Sequence, residues 1–236
     1  MRYPRLALGA LLVAAPLLSP AQTAPSAPDP APTPRFYVGL GAYSSYYQRL
    51  GREYIGTSAE NVRVPLQLTA GYQLRPRLAV QVGVAYSGIS QNYASAYYVY
   101  YSPNNPASYA EASGTYTNRR ASVSALARYT LTRNLAHRLQ FDALGGLSLE
   151  HSSSRSKGIR SDSLQNTFTT APYDYRSSFN NLVLSVGAGV RYRIAPRFEL
   201  TYDLLLNGGV WSDQSYLYKG LSTSNALGLR YRFGAR

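Results

Sequence analysis

His151 and Ser153 stand two residues apart with Glu150 beside them. A serine becomes a nucleophile when a base lies within hydrogen-bond reach and an acid orients that base. Alternate positions of an extended chain put His151 and Ser153 on one face, but Glu150 falls on the other, and the pair sits in a serine-rich run. No catalytic residue is therefore assigned, and His151 and Ser153 remain the pair such chemistry would use. A second set is ionic: Arg63, Arg128, Asp142, Arg191, Arg193, Glu199, Asp203, Arg230 and Arg232, set among apolar neighbours. Charges in such surroundings are tolerated when paired and hydrogen-bonded. A third set is Tyr97, Tyr98, Tyr100 and Tyr101, in a run of Ser, Ala, Asn and Pro that suits an adaptable binding surface. The competing reading is a hairpin whose tyrosines pack on one another. Cysteine is absent and His137 lies in a turn, so no metal site and no cofactor are expected.

The elements that must carry these residues follow from composition and periodicity. The 236 residues include 23 Tyr and 19 Gly, and the formal charge is +13, yet 45% of the chain is apolar and only 15% charged. This excludes a disordered polycation and argues for sheet over helix. Period-two alternation gives eight segments, at 35–46, 62–74, 78–87, 121–131, 139–149, 182–194, 198–206 and 227–233. One face is apolar throughout: Val62, Val64, Leu66, Leu68, Ala70, Tyr72 and Leu74 in the second segment, Leu78, Val80, Val82, Val84 and Tyr86 in the third. Connections alternate between tight (75–77, 132–137, 195–197) and long (47–60, 88–118, 151–175, 208–220).

The ionic residues all fall on the opposite face. With the apolar face inward this would be a soluble lipocalin-like barrel. Whole strands without charge, capped by aromatics, favour apolar outward and ionic inward. The expected fold is all-β, an eight-stranded antiparallel up-and-down transmembrane β-barrel, or ten-stranded if 88–118 inserts. Within it Arg128 is predicted to meet Asp142, and Arg193 to meet Glu199. Tyr72, Tyr129, Tyr192 and Tyr231 recur on the four strands that approach the tight-turn side and are predicted to form one aromatic girdle. An eight-stranded interior is just wide enough for side chains to fill, which predicts a plugged lumen. Arg49, Arg52, Arg119, Arg120, Arg155, Lys157, Arg160 and Arg176 border the long-loop side, where they would meet lipid phosphate.

Ahead of the strands, 1–21 has two arginines, an apolar stretch and a small-residue exit, the pattern of a secretory signal. Residues 22–34 are Ala/Pro-rich and are expected to be a spacer, leaving 35–236 as the barrel domain.

The terminal Gly228-Leu229-Arg230-Tyr231-Arg232-Phe233 resembles the last-strand motif of outer-membrane β-barrel proteins, although three residues follow its final aromatic and Ala226 replaces the usual polar residue. Over 35–236 the chain looks like the small porin-like outer-membrane β-barrel protein family, eight-stranded type. The resemblance implies export to the bacterial outer membrane and recognition of Gly228, Tyr231 and Phe233 by the barrel-assembly machinery. His151-x-Ser153 is similar to the pair used by lipid A deacylases, themselves eight-stranded barrels. The expected function is non-enzymatic, in envelope integrity or surface interaction, with a narrow solute channel as the alternative and a lipid A deacylase-like hydrolase behind it. The expected partners are outer-membrane lipid, lipopolysaccharide and an unidentified extracellular ligand. No nucleic-acid partner is expected, and the chain is expected to be monomeric.

Overall fold

Alternation of apolar with polar or small residues produces strand after strand, because each pleat sends neighbouring side chains to opposite faces. The computed structural model describes residues 34–46, 48, 51–52, 62–99, 108–164, 167–213 and 220–234. The proposed leader, and all of the spacer but Pro34, lie outside them. The strands are β1 (Phe36–Ser45), β2 (Gly51–Arg52), β3 (Val62–Arg63), β4 (Leu66–Arg75), β5 (Leu78–Val99), β6 (Ser108–Thr130), β7 (Leu139–Leu164), β8 (Thr167–Ala195), β9 (Phe198–Ser212) and β10 (Leu221–Phe233). Strands β2 and β3 form a small separate ladder, and the other eight close into a barrel in the order β1-β10-β9-β8-β7-β6-β5-β4. All neighbours run antiparallel. Closure comes from β1, which pairs with β10 from Phe36↔Phe233 to Ser45↔Ser224 and with β4 from Phe36↔Tyr72 to Ala42↔Leu66. A closed ring gives every backbone N–H and C=O a partner in the ladder, the condition for crossing hydrocarbon with strands.

The apolar face is outside. Leu68 is 63% exposed, and Leu40, Val82, Val123, Leu147, Leu184, Leu204 and Leu227 are exposed with it around the ring. Soluble monomers rarely expose contiguous apolar patches beyond a few hundred Å². Here the apolar band circles the molecule, and lipid is the solvent it suits.

Two connections differ from the sequence expectation. Segments 88–118 and 151–175 are strand over most of their length rather than loop. β5 pairs with β6 as far as Val99↔Ser108, β6 with β7 as far as Tyr109↔Ser163, and β7 with β8 as far as Leu164↔Thr167. By contrast β4 leaves β5 at Leu66↔Tyr86, and β9 leaves β8 at Ser212↔Asn181. A four-stranded sheet therefore continues beyond the barrel wall. These stretches carry no apolar stripe, since neither face meets lipid or a core. They are held by backbone pairing and by polar or aromatic cross-strand contacts, such as Ser90 with Thr117 at 3.0 Å and the Tyr98 and Tyr109 rings at 5.3 Å. The strand number stays at eight because the long second connection lengthens two strands of the ring instead of adding two.

Candidate functional site in the barrel interior and the external sheet

The interior is built from side chains of the inward parity on every strand, and it is layered. Nearest the tight turns lies an ionic layer. Asp142 on β7 is fully buried, accepts from Arg128 Nη1 at 2.8 Å and is gripped by Arg191 through Nε (2.6 Å) and Nη2 (2.8 Å). Thr130 donates to the same carboxylate at 2.9 Å. Arg128 Nη2 donates to Asp203 at 2.6 Å, so one guanidinium joins β6 to both β7 and β9. Glu199 accepts from Arg232 Nε at 2.8 Å, with Arg191 at 3.8 Å and Arg230 at 3.9 Å. Arg230 donates to Gln81 at 2.9 Å and lies 4.0 Å above the ring of Tyr37. Four guanidiniums face three carboxylates, and the fourth is held by an amide and an aromatic face.

Close approach at two glycines makes this layer possible. The Tyr37 ring lies across Gly71, its register partner, where any Cβ would overlap the ring. A Cβ on Gly189 would stand 2.6 Å from Asp203 Oδ1 and 2.8 Å from Arg128 Nη1, so the bare backbone lets that guanidinium pass between its two carboxylates.

Above the ionic layer Leu126, Leu144 and Leu205 meet in a buried apolar cluster. Beyond it lies a polar layer in which Tyr43 donates to Glu150 at 3.2 Å and Ser185 to Asn207 at 2.7 Å. Two cavities among these layers, lined by Gln67, Gln81, Asp203 and their neighbours, measure about 10 Å³ each. That is about the room one water needs.

Of the ionic residues picked out in the sequence, the structure brings together Arg128, Asp142, Arg191, Glu199, Asp203, Arg230 and Arg232. Arg193 stands opposite Glu199 in the register but donates to the carbonyl of Leu135 at 3.5 Å, while Arg232, Arg191 and Arg230 surround Glu199. The expected Arg193–Glu199 contact is thus replaced by arginines from β10 and from deeper on β8, which reach across the lumen where a direct register neighbour points along the wall. The side chain of Arg63 lies outside the described residues. Sequence reasoning missed Tyr37, Gln81 and Thr130, whose parity alone would have placed them inward. It also missed the three leucines, which sit on the inward face of otherwise apolar runs such as Ala125-Leu126-Ala127.

Tyr72, Tyr129, Tyr192 and Tyr231 all point outward near the tight turns. Phe36 joins Tyr72 at 4.8 Å, Phe233 follows at 5.9 Å, and Tyr231 and Phe198 meet at 5.1 Å, so the phenylalanines link two of these tyrosines into one band.

On the external sheet, parity sorts the basic residues. Arg119, Arg155, Lys157 and Arg176 share the outer face, continuous with the apolar band, whereas Arg120 and Arg160 share the lumen-side face. Arg155 and Arg176 stand directly opposite each other with Asp174 between them, 2.5 and 3.6 Å away. Hydrogen bonds from Arg155 hold the Asp174 carboxyl down at about 2, so this bridge stays ionised far below neutral pH. His151 and Ser153 also lie on the outer face. His151 Nδ1 pairs with Asn180 Oδ1 at 2.8 Å, and Asn180 donates to Asp213 at 3.0 Å, while Glu150 is buried inside. Tyr98 is exposed against Tyr109; Tyr100, Tyr101 and the side chain of Tyr97 lie outside the described residues.

Comparison with known families gives one extended match. The model of the outer membrane protein beta-barrel domain covers residues 9–233. This chain belongs to that family. As a family member it is an integral β-barrel protein of the bacterial outer membrane, in contact with the lipid around it. Among solved structures, it is similar to the attachment invasion locus protein Ail of Yersinia pestis, at 13% identity and a TM-score of 0.45 over 85% of this chain and 99% of that one. It is also similar to a major outer membrane protein from Thermus thermophilus, at 15% identity and a TM-score of 0.45 over 84% and 98% of the two chains. The Pseudomonas aeruginosa protein OprG follows, at 12% identity and a TM-score of 0.38 over 86% and 97%. A search of curated proteins found no match.

Proposed function

We propose that this outer-membrane barrel is a closed, monomeric and non-enzymatic scaffold that presents the four-stranded external sheet for surface interaction and contributes to envelope integrity. The observation that carries the reading is the interior layering. An ionic lattice joins β6, β7, β8, β9 and β10, a leucine layer lies over it, and the two cavities described among these layers are of single-water size. A path for ions would need several bridged charges to separate at once, each desolvated in a narrow lumen. The purified full chain in planar bilayers is therefore expected to give no sustained single-channel openings; regular openings would favour the narrow-channel alternative.

On the same reading the tight turns face the periplasm and the sheet faces outward. The outer-face cations Arg119, Arg155, Lys157 and Arg176 then stand above the apolar band, at the height of the phosphorylated headgroups of lipopolysaccharide. Gly228, Tyr231 and Phe233 close the ring on β10 and are proposed as the signal for the assembly machinery. Tyr97, Tyr98, Tyr100 and Tyr101 are proposed as the contact with an extracellular ligand. The leader over 1–21 and the spacer over 22–34 belong to the same proposal.

The hydrolase alternative draws on the His151–Asn180–Asp213 chain, which orients an imidazole on the outer face that Ser153 shares. The partner of that imidazole is an amide, a weaker stabiliser of imidazolium than a carboxylate. Lipid A from cells expressing the wild type and Ser153→Ala is expected to show identical acylation by mass spectrometry. Loss of an acyl chain with the wild type alone would establish the enzyme.

A further inference from the structure

The short-turn rim carries a pattern that the layered interior does not use. Each strand that starts from this rim is preceded by arginine: Arg35 before β1, Arg77 before β5, Arg138 before β7 and Arg197 before β9. Their backbone carbonyls accept in one repeated geometry from the residue after each girdle tyrosine, Gln73, Thr130, Arg193 and Arg232, all at 2.8 Å. The barrel thus repeats a tyrosine–arginine unit four times around the rim, as Tyr72 with Arg35, Tyr129 with Arg77, Tyr192 with Arg138 and Tyr231 with Arg197.

Sequence parity would turn these arginines toward the lumen, but two of them are drawn outward. Arg35 Nη1 donates to the Tyr72 hydroxyl at 3.4 Å and Arg197 Nη1 to the Tyr231 hydroxyl at 3.3 Å. Both phenols belong to the outward aromatic band, so each guanidinium is held against the lipid side of the wall, at the junction of acyl chain and headgroup. A guanidinium has five N–H donors in a planar fork, and one spent on a phenol leaves a face for a phosphate. Arg75 and Arg133 extend the ring, and Arg77 donates to the Arg133 carbonyl at 2.9 Å, tying two turns together. Among the described residues no carboxylate stands on this rim. Asp142 and Glu199 are buried in the lumen and already engaged.

We propose that this arginine rim binds the phosphodiester groups of anionic phospholipid in the periplasmic leaflet, with a lipid seated at each of the two units, Arg35 with Tyr72 and Arg197 with Tyr231, whose guanidiniums are drawn outward. An anionic headgroup is favoured over a zwitterionic one because the latter would bring its own cation into a ring of six arginines that has no carboxylate among the described residues. A soluble anion is disfavoured because Tyr72 and Tyr231 aim the Arg35 and Arg197 guanidiniums at the lipid wall. The proposal rests on the orientation given above, with tight turns on the periplasmic side.

The test uses the full chain in neutral detergent, titrated with phosphatidylglycerol, phosphatidylcholine, lipopolysaccharide or sodium phosphate, with bound lipid counted by native mass spectrometry. Phosphatidylglycerol is expected to bind at least tenfold more tightly than phosphatidylcholine, with no competition from sodium phosphate at equal concentration. R35Q/R77Q/R138Q/R197Q is expected to lose that preference, and Y72F/Y231F, which keeps every charge, to reduce it. Equal binding of the two phospholipids, preference unchanged in the arginine variant, or displacement by free phosphate would overturn the site. Retained heat-modifiable gel migration shows in each case that the barrel is intact. Tighter lipopolysaccharide binding that is lost in the arginine variant would overturn the orientation and with it the proposal.

Discussion

Asp142→Ala is expected to destabilise the folded barrel by about 3–5 kcal/mol, the usual cost of breaking a buried ion pair from one side. The carboxylate accepts from Arg128, Arg191 and Thr130, and its removal leaves two desolvated guanidiniums with one fewer anion between them. Arg128 keeps Asp203, but Arg191 is left with the Thr130 hydroxyl at 2.7 Å and, as its nearest carboxylate, Glu199 at 3.8 Å. The measurement is urea unfolding in detergent or lipid, followed by loss of the fast-migrating unboiled gel band. Asp174→Ala is the control, since it also removes a carboxylate bonded to arginine, but from an exposed pair worth little in water. If the two variants unfold together, the lumen lattice is not the structural plug described above.

The second large effect is expected from the opposite face. Val82 lies midway along the outward apolar run from Leu78 to Tyr86 and is half exposed. On a soluble protein, arginine at such a position changes stability by about 0.5 kcal/mol or less. In a bilayer it must be drawn into hydrocarbon, and the expected cost is roughly 2–4 kcal/mol near the midplane. Val82→Arg should therefore lower folding yield into liposomes, whereas Ser90→Arg, further along the same face of β5 and beyond the barrel, should not. Equal yields for the two would mean that the apolar band does not contact lipid.

Both outcomes depend on which way each strand faces, and much of that was legible without coordinates. In a strand the side-chain period is two, so once one residue is placed the rest follow. Leu66, Leu68, Val80, Val82 and Leu204 are exposed, and Arg128, Asp142, Glu199 and Asp203 are buried, as alternation required. Parity says nothing of how far along a strand pairing continues. Segments 88–118 and 151–175 lack an apolar stripe because they leave the hydrocarbon, and so the signal that marks a membrane strand ends where the strand does not.

Nor does alternation choose partners within the lumen. Register places Arg193 opposite Glu199, yet long guanidinium stems span the narrow interior, and Glu199 is met by Arg232, Arg191 and Arg230. The leucine layer and the tyrosine–arginine units were hidden for a related reason. Leu126, Leu144 and Leu205 come from three strands, and Arg35 is 37 residues from the phenol it reaches. Sequence alone determined the alternation, the even number of strands and the face given to lipid, because these are local properties of a pleated chain. Only closure of the ring decided which charges pair, what fills the lumen and which rim arginines reach a girdle tyrosine, because those depend on distances across a cylinder whose width no single strand encodes.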